Sequence, residues 1–312
     1  MKITPQFTTS FFTTQLEVWP LASINYTILE TALGNESEII FENQSWIADK
    51  FVVSYRKGSL TADPKAALMG ERPCFLCGKS RPSEQLKLEW NDYDILVNPY
   101  PISVPHFTIA HKDHIPQRID GHISEMASMT SLFDNCGLFY NGPLCGASAP
   151  DHLHFQAFDL HNFKNLLPSL KNGTVIYRHG GSRIIVPASN LTAVPFILID
   201  AAEDSDIPAL FDRVVSALPS ADPEPMMNIA AIRHESHTLI AVFPRHKHRP
   251  ACYGSGEGQL LVSPATAEML GTFPCAGQKE FEALDEETIR KIYGEVCVSP
   301  EAFDEIIEKI SQ

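Results

Sequence analysis

The sequence is short of positive charge. It has 24 Lys and Arg residues against 38 Asp and Glu residues, which gives a formal net charge of −14 over 312 residues. Proteins that bind nucleic acid need basic side chains to neutralise phosphates, so this balance argues against a nucleic-acid partner. A small anionic substrate stays compatible with it, because a pocket can be locally positive on an acidic protein.

Long apolar runs are also missing. The residues after Met1, KITPQFTTSFF, include no stretch long enough for a signal peptide or a membrane span. Hydrophobic residues make up 44% and charged residues 20%, as in ordinary globular proteins. We therefore expect a cytoplasmic protein without a membrane partner, long enough for one large domain or two fused halves.

The seven cysteines are an odd number, and two of them form the pair Cys74-Phe75-Leu76-Cys77. In a chain without an export signal, this spacing indicates a thiol or metal site rather than a disulfide framework. The other cysteines show no metal-ligand spacing and are predicted to be structural: Cys136, Cys145, Cys252, Cys275 and Cys297.

Short β-branched or aromatic runs alternate with segments of helical spacing, which predicts an α+β fold with antiparallel hairpins. The predicted strands are 51–55, 93–97, 107–110, 152–157, 195–199, 227–232 and 238–243, and the predicted helices are 15–33, 125–139, 206–218 and 300–310. FTIAHKDHIP has a loose echo in LIAVFPRHKHRP, which suggests that one half is a diverged copy of the other.

The stretch GASAPDHLHFQAF places polar groups on alternate positions of an apolar run. On a strand, His152, His154 and Gln156 share one face, and the apolar residues between them face the other way. A neutral imidazole beside a phosphate can attack phosphorus and form a covalent phosphoramidate. The alternative at this point is that both histidines bind one metal ion.

Candidate phosphate contacts lie on both sides of this motif. Small or amide side chains precede it, and backbone amides of such loops can approach a phosphate closely. The basic cluster RHKHR is a candidate phosphate clamp, with a solvated turn as the alternative. The candidates are Asn141, Gly142, Gly146, Ser148, Arg245 and Arg249, with Tyr55, Arg56 and Lys57 as weaker ones.

HLHFQAFDL resembles the histidine-triad superfamily, in the nucleotidyltransferase and phosphorylase branch that carries His-x-His-x-Gln. It is similar to the GDP-hexose phosphorylases, and the resemblance resumes in SPATAEMLGTFPCAGQKEFEALDEETIRKIYGEVCVSPEAFDEII. The resemblance implies two fused histidine-triad-like halves, an active half over residues 1–190 and a degenerate half over 191–312. It also implies that His154 is the nucleophile and that Gln156 and Ser148 contact phosphate.

ERPCFLCGKS is similar to the zinc knuckle of galactose-1-phosphate uridylyltransferases. That resemblance implies a structural Zn²⁺ held by Cys74, Cys77, His114 and His152, with His111 as the substitute for His114. The GDP-hexose phosphorylases lack this knuckle, so the branch of the superfamily to which the chain is most similar stays open.

The resemblance implies a nucleoside diphosphate sugar and inorganic phosphate as substrates, with hexose 1-phosphate and GDP as products. The alternatives are nucleotidyl transfer to a hexose 1-phosphate, phosphorolysis or hydrolysis of a dinucleoside polyphosphate, and a zinc-stabilised nucleotide-binding module without turnover. Monomer and homodimer are both left open.

Overall fold

The computed structural model of the chain describes residues 3–53, 55 and 73–312. Arg56 and Lys57 lie outside the described residues. Within the described part, the structure has no helix of the length and apolarity that crossing a membrane requires.

Thirteen strands and nine α-helices are formed by the described residues. The strands are β1 Ser37–Ile40, β2 Ile47–Val52, β3 Leu88–Trp90, β4 Tyr93–Val97, β5 His106–His111, β6 Cys136–Asn141, β7 His154–Asp159, β8 Thr174–His179, β9 Ser182–Val186, β10 Ile197–Ala201, β11 Met227–His234, β12 His237–Pro244 and β13 Thr272–Cys275. The helices are α1 Pro5–Val18, α2 Pro20–Leu33, α3 Ile123–Met129, α4 Pro168–Asn172, α5 Ile207–Ala217, α6 Thr266–Met269, α7 Gln278–Ala283, α8 Glu286–Val296 and α9 Pro300–Ser311.

The main sheet has ten antiparallel strands in the order β3-β4-β5-β7-β6-β11-β12-β10-β9-β8. Each half of this order has the same pattern: three strands in sequence, then the fifth, then the fourth at the centre. The two halves meet where β6 pairs with β11, with Asn141 opposite Asn228. The fold is therefore α+β with two histidine-triad-like halves in one sheet, as expected.

The repeat in the sheet begins again at β8, upstream of the boundary expected at residue 190. The division into domains at 190 stays a prediction. The proposed echo between FTIAH and LIAVFP does not mark equivalent strands, because the first lies on β5 and the second on β12, whose counterpart is β7.

The two faces of the sheet bury separate cores. On one face, Leu153, Phe155 and Ala157 pack in a core with α3 and α5. On the other face, Phe139 and Phe158 pack in a core that includes residues of α6 and α8. His154 and Gln156 alternate with the first set, so they point toward the second face.

The helix predicted over 125–139 is too long. The chain forms α3, a short 3₁₀ segment and then strand β6. Phe133 adopts extended φ and ψ of −120° and 143°, which ends the helical path, and Asn135 follows with a positive φ of 53°. The apolar residues of this stretch were assigned to a helix because β6 is buried on both faces. Such a strand lacks the alternation of apolar and polar residues that a half-exposed strand shows.

The helix predicted over 15–33 is two helices, α1 and α2, which meet at Trp19-Pro20. Proline cannot donate a backbone hydrogen bond inside a helix but fits its first turn, so Pro20 begins α2. The hairpins β4–β5 and β11–β12 and helix α5 confirm the predictions. Helix α9 also starts as predicted, with Ser299 as N-cap accepting from the Ala302 N–H.

Candidate active site and metal centre

Cys74, Cys77, His114 and His152 come together as one group whose ligand atoms all lie within 4.8 Å of one another. The Cys74 Sγ lies 3.3 Å from His152 Nδ1, and the Cys77 Sγ lies 3.3 Å from His114 Nδ1. A tetrahedral zinc with ordinary Zn–S and Zn–N bonds has ligand-to-ligand edges of about 3.3–3.8 Å. The group therefore fits a metal ion such as zinc, with all four positions filled by protein.

Both histidines present Nδ1 to the thiols and use Nε2 elsewhere. The His152 Nε2–H donates to the backbone carbonyl of His111 at 2.7 Å. The His114 Nε2 lies 3.7 Å from the Asp151 carboxylate. Such outer partners fix the ring orientation and leave Nδ1 as the metal-facing lone pair.

The cysteine pair is tied to the sheet by Arg81. Its Nη1 donates to the Asp94 carboxylate at 2.6 Å, and its Nε and Nη2 donate to the Leu76 carbonyl at 2.8 and 2.6 Å. Burial raises the pKa of the Cys74 thiol to about 11. A thiolate there needs a bound cation, which is what a closed metal site supplies.

The structure brings His114 rather than His111 into the cluster. The His111 Nδ1 faces the backbone of Asp113 instead, accepting from its N–H at 3.0 Å. His152 also differs from the prediction: strand β7 begins at His154, so His152 precedes it and turns toward the cysteines. The two histidines of the motif therefore have separate surroundings.

His154 is 2% exposed, and its two ring nitrogens differ. Nδ1 lies 2.8 Å from the backbone carbonyl of His152, which accepts its proton. Nε2 is buried and has no hydrogen-bond partner among the described residues. This arrangement selects the tautomer with a lone pair on Nε2.

Burial lowers the pKa of His154 to about 4. The imidazole is therefore neutral near pH 7, the form that acts as a nucleophile. A buried lone pair that lacks a hydrogen-bond partner in the described part of the chain is costly to keep, which makes His154 Nε2 a candidate ligand contact.

Gln156 lies two residues further along β7, on the same face of the strand as His154. Its Oε1 lies 2.8 Å from the Nε2 of His106, a residue buried on the neighbouring strand β5. The His106 Nδ1 accepts from the Ile102 N–H at 3.2 Å, so its Nε2 carries the proton. The Gln156 carbonyl is thereby held toward His106, and its NH₂ group is turned away from that ring.

Asn141 ends β6 beside His154. Its Oδ1 accepts from Asn228 Nδ2 at 3.0 Å and from the Thr266 N–H at 2.8 Å. The amide is therefore oriented by the second half and by the start of α6. Sequence analysis identified Asn141 but gave no sign of these two partners.

The glycines of the preceding loop have packing reasons of their own. A Cβ at Gly142 would lie 2.8 Å from the Met227 carbonyl oxygen, and one at Gly146 would lie 2.6 Å from the Ala265 Cβ. Gly146 also has a φ of +96°, which other residues rarely adopt. Both glycines dock the loop on the second half, and Ser148 lies exposed at its end.

The two arginines of the basic cluster differ. Arg245 is buried, and its guanidinium donates to Asn228 and to four backbone carbonyls, those of Pro264, Val296, Lys247 and His248. All five of its N–H donors are used inside the protein, which favours a structural role for Arg245 over the predicted phosphate clamp. Arg249 is half-buried, donates to Ser263 Oγ at 3.0 Å and lies over the Tyr253 ring.

Two family models match parts of the chain. Residues 11–159 match a domain of unknown function, DUF4922, and residues 213–312 match the GDPGP1-like C-terminal domain. No curated protein matches the chain in sequence. The C-terminal third is therefore similar to the GDPGP1-like C-terminal domain.

The chain is similar to solved structures of the yeast Ap4A phosphorylase Apa2. The free enzyme is 13% identical with a TM-score of 0.57, over 85% of this chain and 90% of that chain. The complex with AMP is 14% identical with a TM-score of 0.56, over 91% and 97%. The complex with Ap4A is 14% identical with a TM-score of 0.54, over 84% and 88%. At this identity the likeness shows the fold, and this chain has the Apa2 fold.

Proposed function

We propose that the protein is a nucleotide phosphorylase that works through a covalent nucleotidyl-histidine at His154. The observation that carries the proposal is the neutral, buried imidazole whose Nε2 has no hydrogen-bond partner among the residues that the structure describes, while its Nδ1 is fixed by a backbone carbonyl. An imidazole held in this tautomer is prepared for attack on phosphorus.

In the first step, the Nε2 lone pair of His154 attacks the α-phosphorus of the nucleotide. The Nε2–P bond forms, and the bond from that phosphorus to the bridging oxygen breaks. The released group departs as a phosphate ester. The Gln156 NH₂ group, oriented by His106, donates to a non-bridging oxygen as charge develops there.

In the second step, an oxygen of inorganic phosphate attacks the same phosphorus. The Nε2–P bond breaks, and the nucleoside diphosphate leaves with the imidazole neutral again. Asn141, Ser148 and Arg249 stay proposed phosphate contacts, as do the backbone amides of Gly142 and Gly146. Arg245 is no longer among them, because its donors are used by the protein.

The metal site would support this chemistry without taking part in it. Cys74, Cys77, His114 and His152 would hold a zinc ion with protein atoms alone, which would leave no position open to substrate. Such an ion would supply structural stability. It would hold the segment before β7, and His154 follows His152 by two residues.

We propose a GDP-hexose as the donor. The match of residues 213–312 to the GDPGP1-like C-terminal domain supports guanine nucleotides. A dinucleoside polyphosphate is the second candidate, since the described fold is also that of Apa2, an Ap4A phosphorylase.

A turnover panel tests the proposal. The protein is incubated with GDP-glucose, GDP-mannose, UDP-glucose, UDP-galactose or Ap4A, each with phosphate, with hexose 1-phosphate or with neither. We expect phosphate-dependent release of hexose 1-phosphate and GDP, with the highest kcat/KM for a GDP-hexose. Higher kcat/KM for Ap4A or a UDP-sugar would contradict the proposed donor, and nucleotide binding without any turnover would contradict the proposed activity.

A further inference from the structure

Strands β6 and β7 separate next to the nucleophile. Their antiparallel register runs from Cys136–Asp159 to Phe139–Gln156 and stops there. Continuing it would pair Asn141 with His154, but β7 stays paired only with β5 at that point, through Ala110 and His154. The backbone of His154 therefore loses one of its two neighbouring strands.

Gln117 occupies the gap. Its Oε1 accepts from the His154 N–H at 2.8 Å, and its Nε2 donates to the His154 carbonyl at 3.1 Å and to the Asn141 carbonyl at 2.9 Å. The side chain is 1% exposed. One amide thus replaces the lost strand-to-strand hydrogen bonds and ties the nucleophile to the strand that ends at Asn141.

The segment that carries Gln117 is itself fixed against the strand. The Ile115 carbonyl accepts from the Leu153 N–H at 2.8 Å, and the Gln117 N–H donates to the Pro150 carbonyl at 3.3 Å. The same segment carries the metal-cluster residue His114. The backbone hydrogen bonds of Ile115 and Gln117 therefore hold the Gln117 side chain next to His154.

We propose that Gln117 is a positioning residue that sets the direction of the His154 Nε2 lone pair. A buried side chain takes its direction from the backbone that carries it, and the His154 backbone is held on both its N–H and its carbonyl by this one amide. Because attack on phosphorus needs close alignment, a small loss of backbone order lowers the rate of the chemical step more than it lowers nucleotide affinity. This inference rests on the proposed function.

The chain offers a matched control in Gln15. It is also fully buried, and its amide donates to the Glu84 carbonyl at 2.8 Å and accepts from the Leu86 N–H at 2.6 Å. It lies on α1 and contacts neither His154 nor its strand. Gln117→Met and Gln15→Met each keep side-chain length and remove buried amide hydrogen bonds, so a purely structural role predicts similar behaviour.

The experiment compares Gln117→Met, Gln15→Met and the wild-type protein by steady-state kinetics and by hydrogen exchange of backbone amides. We expect both variants to lose stability, but only Gln117→Met to lose kcat, by about 10–100-fold with KM changed less than about threefold. The His154 amide should lose exchange protection in Gln117→Met and keep it in Gln15→Met. Equal kcat in the two variants, or unchanged protection of the His154 amide in Gln117→Met, would overturn the assignment.

If Gln117→Met does not fold, Gln117→Glu takes its place, since it keeps an acceptor for the His154 N–H and loses both donors. It should lower kcat by at least about threefold, and wild-type kcat would overturn the inference. If the wild-type protein turns over no nucleotide at all, the proposed function fails. Exchange protection at His154 then still decides whether Gln117 holds that backbone.

Discussion

Strands β7 and β12 occupy equivalent places in the two halves of the sheet, yet their side chains have different uses. On the face where β7 presents His154 and Gln156, β12 presents Leu239, Ala241 and Phe243, all buried in the core of that face. The backbone arrangement is the same in the two strands. The polar side chains of His154 and Gln156 make one face a candidate site, whereas the apolar side chains of β12 make the equivalent face a packed core. The second half has thereby become a packing partner for the first.

The strand ends differ in the same way. Near the ends of β5 and β7, the first half gathers the cysteine and histidine cluster. Near the ends of β10 and β12, the second half has an ion-pair network instead, in which the buried Asp200 accepts from His237 Nδ1 at 2.5 Å and from Arg183 Nε at 2.7 Å. Corresponding ends of the two halves therefore have different polar groups. The first half has a cluster that could bind a metal ion, and the second half has ion pairs around Asp200.

The largest effect in this comparison is expected at His154. His154→Ala removes the nucleophile and should lower turnover by about 10³-fold or more, at least about 4 kcal/mol of barrier. His237→Ala, at the start of the equivalent strand, should keep turnover within about threefold of wild type, since we expect it to act on stability alone. Steady-state kinetics on folded variants decides this, and retained turnover in His154→Ala would refute the mechanism.

The second contrast concerns the metal. Cys74→Ser should remove bound zinc and lower Tm by roughly 10 °C or more, because a structural metal site contributes folding free energy. Cys252→Ser, a half-buried cysteine outside the cluster, should keep the zinc and change Tm by a few degrees at most. Elemental analysis and thermal unfolding provide the measurement. A metal-free wild type that is fully folded and active would contradict the assignment.

Gln156 should be less costly to lose than His154. Gln156→Ala removes one donor to the developing charge and should lower kcat by roughly 10²-fold, about 2.7 kcal/mol. The nucleotidyl-protein should still form, only more slowly. Rapid-quench measurement of the first step distinguishes this outcome from a binding defect, in which the rate at saturating substrate would equal that of wild type.

The smallest effect on activity tests whether the face of β12 is packed core alone. Leu239→Asn places an amide in a fully buried position and should lower the free energy of unfolding by about 3 kcal/mol. We expect nucleotide labelling of the folded variant to stay at one nucleotide per chain, on His154. A variant as stable as the wild type in denaturant unfolding would contradict the assignment of Leu239 to a packed core.

The sequence predicted the candidate site better than the residues that support it. The grouping of Cys74, Cys77, His114 and His152 and the shared face of His154 and Gln156 follow from residue spacing and resemblance. Gln117 and His106 were not predicted, because each acts on a residue 37 or 50 positions away and neither lies in a motif. The hydrogen bonds of Arg245 were not predicted for a related reason: three of the five reach Asn228, Pro264 and Val296 on other segments, and such contacts leave no pattern in the sequence.

The proposed phosphate contacts show the same limit. Glycines at 142 and 146 suggested close approach to a ligand, and the structure shows close approach to Met227 and Ala265. A glycine in the sequence indicates that another atom lies close to its Cα. It does not indicate whether that atom belongs to a ligand or to the protein. The phosphate contacts of Ser148 and Arg249 also stay predictions.

We expect His154 alone to carry the nucleotide, and covalent labelling tests this most directly. The protein is incubated with GDP-hexose without phosphate, quenched under basic conditions, digested and analysed by mass spectrometry. We predict one GMP per chain on His154, lost in acid, removed by added phosphate with release of GDP, and missing in His154→Ala. Phosphate-dependent turnover in a protein that never carries a nucleotide on His154 would contradict the account.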